Sequence, residues 1–404
     1  MGTRGDIVPF LALCRELVSR GHDTTLLANE NWRDAVTATG AAFHPIAPQD
    51  PPQSGRDDNR FFRSATVPSF RKSFEYVSQR LRENPDCILV YRANMLGMES
   101  AAEKYDRPHV KIALQPSAVK SLKRPPWPLN RLVEGQSGQI ARQLLVPALY
   151  LLVELLRGHY RHRNDFRRSV GLPPHPLGRM GPRTETSSLV LAPKWFARPP
   201  EDWPHNCLCT GFLFDLGGAR DPEIDAFITS HGAPLVFTPG TGVTDVARFF
   251  RKAAQICEAA EMPGLFLSAQ PITVDQVAVP ILKKNFADLD KVLPSARLIV
   301  HHGGIGTTAQ ALRAGIPQII LPDRFDQPDN AVRVAKLGLG AAIMRDNLPV
   351  EAWAELVRRL TEDTLMRQRL KKVATAIATD PAVARVCDHI EAAALTSRLR
   401  RKVP

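Results

Sequence analysis

Short apolar runs alternate with longer amphipathic stretches along most of the chain, which is the pattern of parallel β-sheets covered by crossover helices. The apolar runs predict strands at residues 24–28, 87–91, 109–113, 188–192, 235–238, 265–268, 298–301 and 318–321. In the predicted helix 245–260, one stripe at helical spacing contains Val246, Phe249, Phe250, Ala253, Ala254 and Cys257. The pattern therefore predicts the α/β fold class.

Two regions interrupt this regular pattern. Residues 121–182 are helical in pattern, punctuated by proline and basic, and they predict a helical insertion. Residues 217–232 hold Gly217, Gly218 and Gly232 and predict a linker between two domains. The expected division is a first domain over residues 1–216, a second over 233–395 and a basic tail over 396–404.

The chain carries 53 lysines and arginines against 41 aspartates and glutamates, a formal net charge of +12. Much of the surplus falls between Lys123 and Arg183, beside the apolar run 144–153, which suits peripheral contact with an anionic membrane surface, although a solvated basic face is the commoner arrangement. No helix-turn-helix, zinc-finger or stacking-aromatic pattern accompanies the charge, so we expect no nucleic-acid partner. The apolar run is too short to span a bilayer, and six scattered cysteines favour a reducing cytoplasm.

A glycine-rich turn, HHGGIGTT at residues 301–308, separates a predicted strand from a predicted helix. Backbone N–H groups at such a helix start, with the hydroxyl of Thr307, can hold a diphosphate without a metal. Alternatively, Gly303, Gly304 and Gly306 only supply positive φ angles for a tight turn, and the glycine spacing alone does not separate the two interpretations. His302 and the segment described next favour the phosphate interpretation.

A second polar segment, DQPDNA at residues 326–331, follows the strand predicted at 318–321. Because open α/β sheets bind ligands beyond the carboxyl ends of their strands, Asp326 and Gln327 are expected near Thr307. A carboxylate beside an amide suits the vicinal hydroxyls of a sugar. For Asp329 we favour a different role, the N-cap of the following helix.

These segments resemble those of a known family. The run LPSARLIVHHGGIGTTAQALRAGIPQIILPDRFDQPDNAVRVAKLGLG resembles the donor-binding signature of the family-1 nucleotide-sugar glycosyltransferases, which have the GT-B fold of two Rossmann-like domains facing across a cleft. The opening GTRGDIVPFLALCRELVSRGHDTTLLAN resembles the acceptor domain of their bacterial antibiotic, macrolide and sterol branch. VLAPKWFARPPEDWP, TGFLFD and PLVFTPGT are most similar to the rhamnosyltransferase chain of rhamnolipid synthesis.

The resemblance implies that the first domain binds the acceptor and that the second binds a nucleoside-diphosphate sugar linked to UDP or dTDP. The implied donor contacts are Thr241, Phe286, His302, Gly303, Gly304, Gly306, Thr307, Gln310, Asp326 and Gln327. His302 and Thr307 would contact the phosphates, Asp326 and Gln327 the sugar, and Phe286 the base. Gln310 stands where many members have a ribose-binding glutamate.

Asp6 matches the aspartate that bacterial members use as general base. Such a group takes the proton of the acceptor hydroxyl as its oxygen attacks the anomeric carbon. From the residues alone, the N-cap of a helix beginning near Pro9 is the favoured role of Asp6, and the family context favours the base. His22 and Glu30 are the next candidates for the base.

The implied reaction is an inverting transfer of a hexose or deoxyhexose to a hydroxyl of a hydrophobic or lipid-like acceptor, without metal or cofactor. The Asp288 and Asp290 pattern precedes a short helical turn and is expected to cap it. The acceptor is expected at residues 144–168, where an apolar surface beside Arg161, Arg163, Arg167 and Arg168 would suit an amphiphilic, acidic molecule. A nucleotide-sugar epimerase of the same fold and a non-catalytic glycosyltransferase-like partner are the alternatives.

In the resembling family an apolar strand precedes the glycine loop that corresponds to residues 2–5. Here Met1 directly abuts Gly2. We therefore expect the central strand of the first sheet to be missing from this chain, and a start further upstream to supply it.

Overall fold

The computed structural model describes residues 4–47, 67–84, 86–93, 95–125, 145–152, 159–175, 187–215, 217–240 and 245–401. The chain forms two compact units: Met1–Phe214 with Pro381–Pro404, and Asp215–Asp380. Each unit contains parallel β-sheet and helices, so the predicted α/β class is confirmed.

The first unit contains two separate parallel sheets. One consists of β1 (Thr25–Asn29) and β2 (Ala42–Ala47). The other contains, in spatial order, β3 (Leu89–Arg92), β4 (His109–Ala113), β5 (Ser187–Val190) and β6 (Cys207–Cys209). Among the described residues, no strand joins the two sheets.

Helices cover these strands with apolar faces. They are α1 (Arg4–Ser19), α2 (Arg33–Thr37), α3 (Val67–Glu83), α4 (Leu96–Lys104), α5 (His159–Ser169) and α6 (Lys194–Ala197). Ile7 and Leu11 of α1 pack with Val36 of α2 in one core cluster. Phe74 of α3 and Phe166 of α5 belong to a second cluster, so this part of the predicted insertion contributes to the core of the unit.

The second unit contains one six-stranded sheet whose neighbouring strands are all parallel. Its strands are β7 (Leu235–Thr238), β8 (Gly264–Leu267), β9 (Ile281–Lys284), β10 (Leu298–His301), β11 (Gln318–Ile320) and β12 (Gly340–Ala342). They lie in the order β12-β11-β10-β7-β8-β9. The chain thus reverses its direction of travel across the sheet beside β7 and β10, and open α/β sheets bind ligands at such a switch point.

The described residues of the second unit form seven α-helices. They are α7 (Pro222–His231), α8 (Val246–Ala260), α9 (Leu289–Val292), α10 (Ile305–Ala314), α11 (Gln327–Lys336), α12 (Val350–Glu362) and α13 (Thr364–Ala378). The predicted stripe of α8 is largely buried, with Phe250 and Cys257 at 0% exposure. An apolar stripe at helical spacing therefore predicted this packing face correctly.

The expected linker at 217–232 is largely helical. Asp221 accepts the backbone N–H groups of Glu223 and Ile224, which caps α7. Ile224 is buried in a core cluster of the second unit. The glycines that suggested a linker instead flank a helix of the unit itself.

The last helix, α14 (Ala382–Arg401), belongs to the first unit, whereas the sequence division placed most of it in the second domain. Arg20, next to α1, pairs with Asp388 at 2.6 Å and with Glu391 at 3.0 Å. His22 also bonds Glu391, at 2.7 Å. No helix in the described part of the chain has the length and apolar character that crossing a membrane requires.

Candidate functional site

The turn between β10 and α10 places backbone N–H groups at the carboxyl edge of the sheet. Gly304 is the N-cap residue, so the first three residues of α10, which include Gly306 and Thr307, have N–H groups without intrahelical acceptors. Gly303 has a φ of +91°, and a Cβ atom on it would lie 2.5 Å from Cγ2 of Ile320. The turn therefore requires glycine at 303, and its geometry suits an anion at the helix start.

The imidazole ring of His302 lies between glycines of two loops. A Cβ atom on Gly240, after β7, would lie 2.4 Å from Cε1 and Nδ1 of the ring, and one on Gly304 would lie 2.7 Å from Nε2. Burial lowers the pKa of His302 to about 4. The side chain is therefore neutral near pH 7, and it offers a phosphate a hydrogen bond rather than a positive charge.

The preceding residue, His301, supports the turn by accepting a hydrogen bond from its backbone. The N–H of Gly303 donates to Nδ1 of His301 at 3.1 Å, so the proton of the neutral ring is on Nε2, which lies 2.9 Å from Oε1 of Gln318. Burial, with a smaller effect of His302, lowers the pKa of His301 to about 3. His301 is thus a neutral, fully buried support of the glycine turn.

Asp326 and the turn between β10 and α10, named here the phosphate turn after its predicted ligand, are joined by Asn330 of α11. The Nδ2 group of Asn330 donates to the carbonyl oxygen of Gly303 at 2.9 Å and to Oδ2 of Asp326 at 2.8 Å. The two segments that the sequence analysis singled out therefore lie side by side, as predicted from their positions after adjacent strands.

Gln327 supports its own loop. Its Oε1 atom accepts the backbone N–H groups of Asp323 at 2.9 Å and of Arg324 at 3.1 Å. The oxygen of this amide is thus engaged within the protein. The carboxylate of Asp326, the other predicted sugar ligand, is oriented by the hydrogen bond from the buried Asn330.

The predicted N-cap role of Asp329 is wrong. Asp329 is the third residue of α11, and its Oδ2 atom accepts from Nε of Arg333 at 2.7 Å, one turn further along. Asp326 occupies the N-cap position, and its side chain makes no capping hydrogen bond. The helix starts earlier than the sequence indicated because Pro328 fits its first turn.

A cavity of about 400 Å³ lies beside this turn. Its walls include Pro239, His302, Leu321 and Asp323, which follow the carboxyl ends of β7, β10 and β11. Trp353 of α12 lines its apolar part. The volume is in the range of small-molecule sites, and the cavity lies at the edge where the topology predicts a ligand.

The remaining predicted donor contacts are Thr241, Phe286 and Gln310. Thr241 lies outside the described residues. Phe286, in the loop after β9, is 53% exposed. Gln310 forms a hydrogen bond with the carboxylate of Asp290, a contact within the protein.

Asp288 caps α9 as predicted, since its Oδ1 atom accepts the backbone N–H of Asp290 at 3.0 Å. Asp290 also lies 3.4 Å from Nη1 of Arg313. Burial raises the pKa of the Asp290 carboxyl. No cluster of three or more histidine, cysteine or acidic side chains suited to a metal occurs within the ranges described above.

Asp6 lies in the first unit, within the first turn of α1. The helix includes Arg4 and has Pro9 in its interior, so the predicted N-cap role before Pro9 is wrong. Nη1 of Arg92, the last residue of β3, lies 2.6 Å from Oδ1 of Asp6, whose side chain is 24% exposed. Asp6 is therefore a partly exposed carboxylate held in place by an arginine.

The two reserve candidates for the base are engaged elsewhere in the same unit. His22 bonds Glu391 of α14. Glu30 accepts from Nε of Arg33 at 2.6 Å. Among the three candidates, Asp6 alone lies at the start of α1 beside the end of a strand.

The basic segment is less exposed than its sequence indicated. Arg167 of α5 is buried and forms a bidentate pair with Glu103, with distances of 2.8 and 2.9 Å. Arg168 pairs with Asp165 at 2.9 Å. The predicted acidic-acceptor surface is therefore wrong for Arg167, which is part of the core.

Apolar side chains nearby are exposed. Residues 145–152 are helical, and Leu145 and Leu152, seven positions apart on one face, are 36% and 49% exposed. Val146, the next residue after Leu145, is fully buried. This helix thus presents an apolar stripe outward, as the apolar run predicted.

Three supporting residues were not recognised from the sequence, namely Gly240, His301 and Asn330. The segments around His301 and Asn330 were noted, but both residues act through partners that are distant in sequence. For Asn330 one local signal existed, its spacing of four residues from Asp326 on a helix, which brings the two side chains together.

Two protein-family models match parts of this chain. Residues 268–393 match the model of the erythromycin biosynthesis protein CIII-like C-terminal domain. Residues 1–89 match the glycosyltransferase family 28 N-terminal domain. The first match includes the phosphate turn and Asp326, and the second includes Asp6.

Full-length relatives share both units. The chain is 29% identical to the O-mycaminosyltylonolide 6-deoxyallosyltransferase of Streptomyces fradiae, over 97% of this chain and 95% of that protein. The kitacinnamycin glycotransferase structure superimposes with a TM-score of 0.74 at 21% identity, covering 96% of each chain. The glycosyltransferase VinC, solved in complex with dTDP, has a TM-score of 0.64 at 17% identity, covering 98% of each chain. The chain therefore belongs to the family-1 glycosyltransferases and has their GT-B fold.

Proposed function

We propose that this glycosyltransferase moves a hexose or deoxyhexose from UDP or dTDP to a hydroxyl of a hydrophobic acceptor. The observation that carries the proposal is the joining of the α10 N-terminus and Asp326 at one switch point through Asn330. An anion site beside a sugar-binding carboxylate suits a sugar diphosphate. A dTDP complex of the similar protein VinC supports the choice of nucleotide.

In this proposal the first N–H groups of α10 and the hydroxyl of Thr307 bind the diphosphate, while His302 donates or accepts a hydrogen bond as a neutral ring. The N–H groups and the helix dipole stabilise the negative charge that the leaving diphosphate gains. Asp326 binds sugar hydroxyls beside the diphosphate. Phe286 and Thr241 remain predicted donor contacts.

Asp6 acts as the general base. The acceptor oxygen forms a bond to the anomeric carbon, the bond from that carbon to the diphosphate breaks, and the hydroxyl proton passes to Asp6. One displacement of this kind inverts the anomeric configuration. Asp288 and Asp290 are used for capping and ion pairing, so we assign no metal to the reaction.

Features of the first unit support the acceptor class that we propose. The exposed leucines Leu145 and Leu152 favour an apolar molecule, and the pairing of Arg167 and Arg168 with acidic side chains weakens the argument for an acidic one. We therefore propose a neutral, polyketide-like acceptor. The relative from Streptomyces fradiae is named as an O-mycaminosyltylonolide 6-deoxyallosyltransferase. Similarity to the rhamnolipid enzyme and peripheral membrane contact remain predictions.

A donor and acceptor screen tests the proposal. The purified chain is incubated with UDP- and dTDP-sugars, with and without apolar alcohols, and glycoside and released diphosphate are measured by mass spectrometry. We expect equal amounts of glycoside and diphosphate, unchanged by EDTA, with inverted configuration by NMR. Isomerised nucleotide sugar in the absence of an alcohol would instead identify an epimerase.

A further inference from the structure

Asn330 connects the two halves of the donor site, and we propose that it is a positioning residue that fixes the direction of a phosphate-binding N–H. This inference rests on the proposed function, because it concerns how the same site recognises a sugar diphosphate. Asn330 belongs to α11 and is 0% exposed, so its side chain is enclosed by the protein. Its role must therefore pass through the groups that it touches.

Both hydrogens of the Asn330 amide are used. One is donated to the carbonyl oxygen of Gly303 at 2.9 Å and the other to Oδ2 of Asp326 at 2.8 Å. Reversing the amide would turn its oxygen toward two acceptors, so these partners fix its orientation. A single rigid amide thus sets the positions of a turn carbonyl and of a sugar-binding carboxylate.

The carbonyl contact determines where the next N–H points. The C=O of Gly303 and the N–H of Gly304 belong to one trans peptide unit and point in opposite directions. Because Asn330 holds this carbonyl toward the buried side of α11, the N–H of Gly304 points away from it, beside the first N–H groups of α10. Glycine at 303 places no side chain in the way of a rotation of this peptide, so the hydrogen bond from Asn330 is what keeps it in place.

Two consequences follow for recognition. Loss of the amide should weaken binding of the β-phosphate, because the peptide before α10 is then free to rotate. It should also relax the choice of sugar, because Asp326 loses the partner that orients its carboxylate. A purely structural role would lower stability without separating phosphates or sugars.

Isothermal titration with UDP, dTDP and the corresponding monophosphates tests the proposal. For Asn330→Ala we expect about tenfold weaker binding of the diphosphate that the parent binds, with the monophosphate affinity within about twofold of the parent. The ratio of kcat/KM values for two nucleotide sugars that differ at one hydroxyl should move toward one. Asn330→Ser, which keeps one donor, should give an intermediate loss and serves if the alanine variant does not fold.

Val334→Ala is the matched control. Val334 is also fully buried on α11, one turn further along, and its replacement removes packing without altering the amide. It should lower thermal stability and leave the preference for diphosphate over monophosphate within about twofold. Equal loss of both nucleotides in the Asn330 variants, or unchanged diphosphate binding, would overturn the positioning role. A parent chain that binds neither diphosphate would overturn the proposed function itself.

Discussion

Gly240 lies so close to His302 that a Cβ atom on this glycine would sit 2.4 Å from both Nδ1 and Cε1 of the imidazole ring. The two residues follow β7 and β10, which are paired neighbours in the sheet. Gly240 also has a φ of +74°. The ring of His302 therefore packs directly on the backbone of the opposite loop, and no side chain at 240 leaves this arrangement unchanged.

Gly240→Ala should displace the imidazole of His302 and weaken diphosphate binding about tenfold or more, in addition to lowering stability. The matched control is Gly232→Ala, at a φ of +83° with no atom within 4 Å of its Cβ position. Both variants incur backbone strain of about 1–3 kcal/mol. Only the alanine at position 240 would also clash with the imidazole ring of His302. Urea denaturation and UDP or dTDP titration of both variants measure the difference, and equal affinities in the two would contradict the packing argument.

The two buried histidines predict acid sensitivity. Their folded-state pKa values of about 3 and about 4 lie below the ordinary value of 6.5. Below pH 6.5 the unfolded chain binds protons that the folded chain does not, so the free energy of unfolding falls as the pH is lowered toward 4. Each group contributes a slope of up to about 1.4 kcal/mol per pH unit.

His302→Asn should remove one of these contributions. Urea denaturation at pH 7 and pH 5 should show a smaller drop in the free energy of unfolding for this variant than for the parent. His231→Asn, an exposed histidine of the same unit, is the control and should behave as the parent does. Identical pH dependence in parent and His302→Asn would show that this ring is not held neutral by the fold.

Asp6→Asn should lower turnover about 10²–10⁴-fold, because the amide cannot accept the hydroxyl proton. Donor affinity should change little, since Asp6 belongs to the first unit. Glu30→Gln alters another carboxylate of that unit that is paired with an arginine, and it should retain activity. If Asp6→Asn keeps its specific activity and only loses stability, the ion pair with Arg92 is structural and the base is another group.

Arg167→Met should destabilise the first unit by about 3–5 kcal/mol, because Glu103 would be left without its buried partner. Arg168→Met, on the same helix, removes an exposed pair and should change stability by less than about 1 kcal/mol. Chemical denaturation compares the two. Similar small effects would contradict the claim that the buried pair of Arg167 and Glu103 stabilises this unit.

The sequence predicted every strand that lies inside a sheet and two of the six edge strands, β1 and β3. The eight predicted strands are all present, whereas β2, β6, β9 and β12 were not identified. Each of these four lies at the edge of its sheet. An edge strand is short and buried less completely, so its apolar signal is weak, as the sequence ILKK of β9 illustrates.

The segments proposed to bind the donor could be identified from the sequence because they are contiguous motifs. The turn at 301–308 and the pair Asp326 and Gln327 each follow a strand with a clear apolar run. The supporting contacts of Gly240 and Asn330 join loops or helices that are distant in sequence, and no local pattern encodes them. Arg167 was misassigned for the same reason, since its partner Glu103 lies on another helix.

The most direct test of the account is a single transfer reaction followed by mass spectrometry. The chain is mixed with the UDP- or dTDP-sugar that it binds and with a neutral, apolar polyketide alcohol, and the parent is compared with His302→Ala. The proposed transfer reaction predicts a glycoside and an equal amount of free nucleoside diphosphate with the parent, and about ten- to hundredfold less of both with the variant. Diphosphate release that does not depend on the alcohol, or equal transfer by the two proteins, would contradict it.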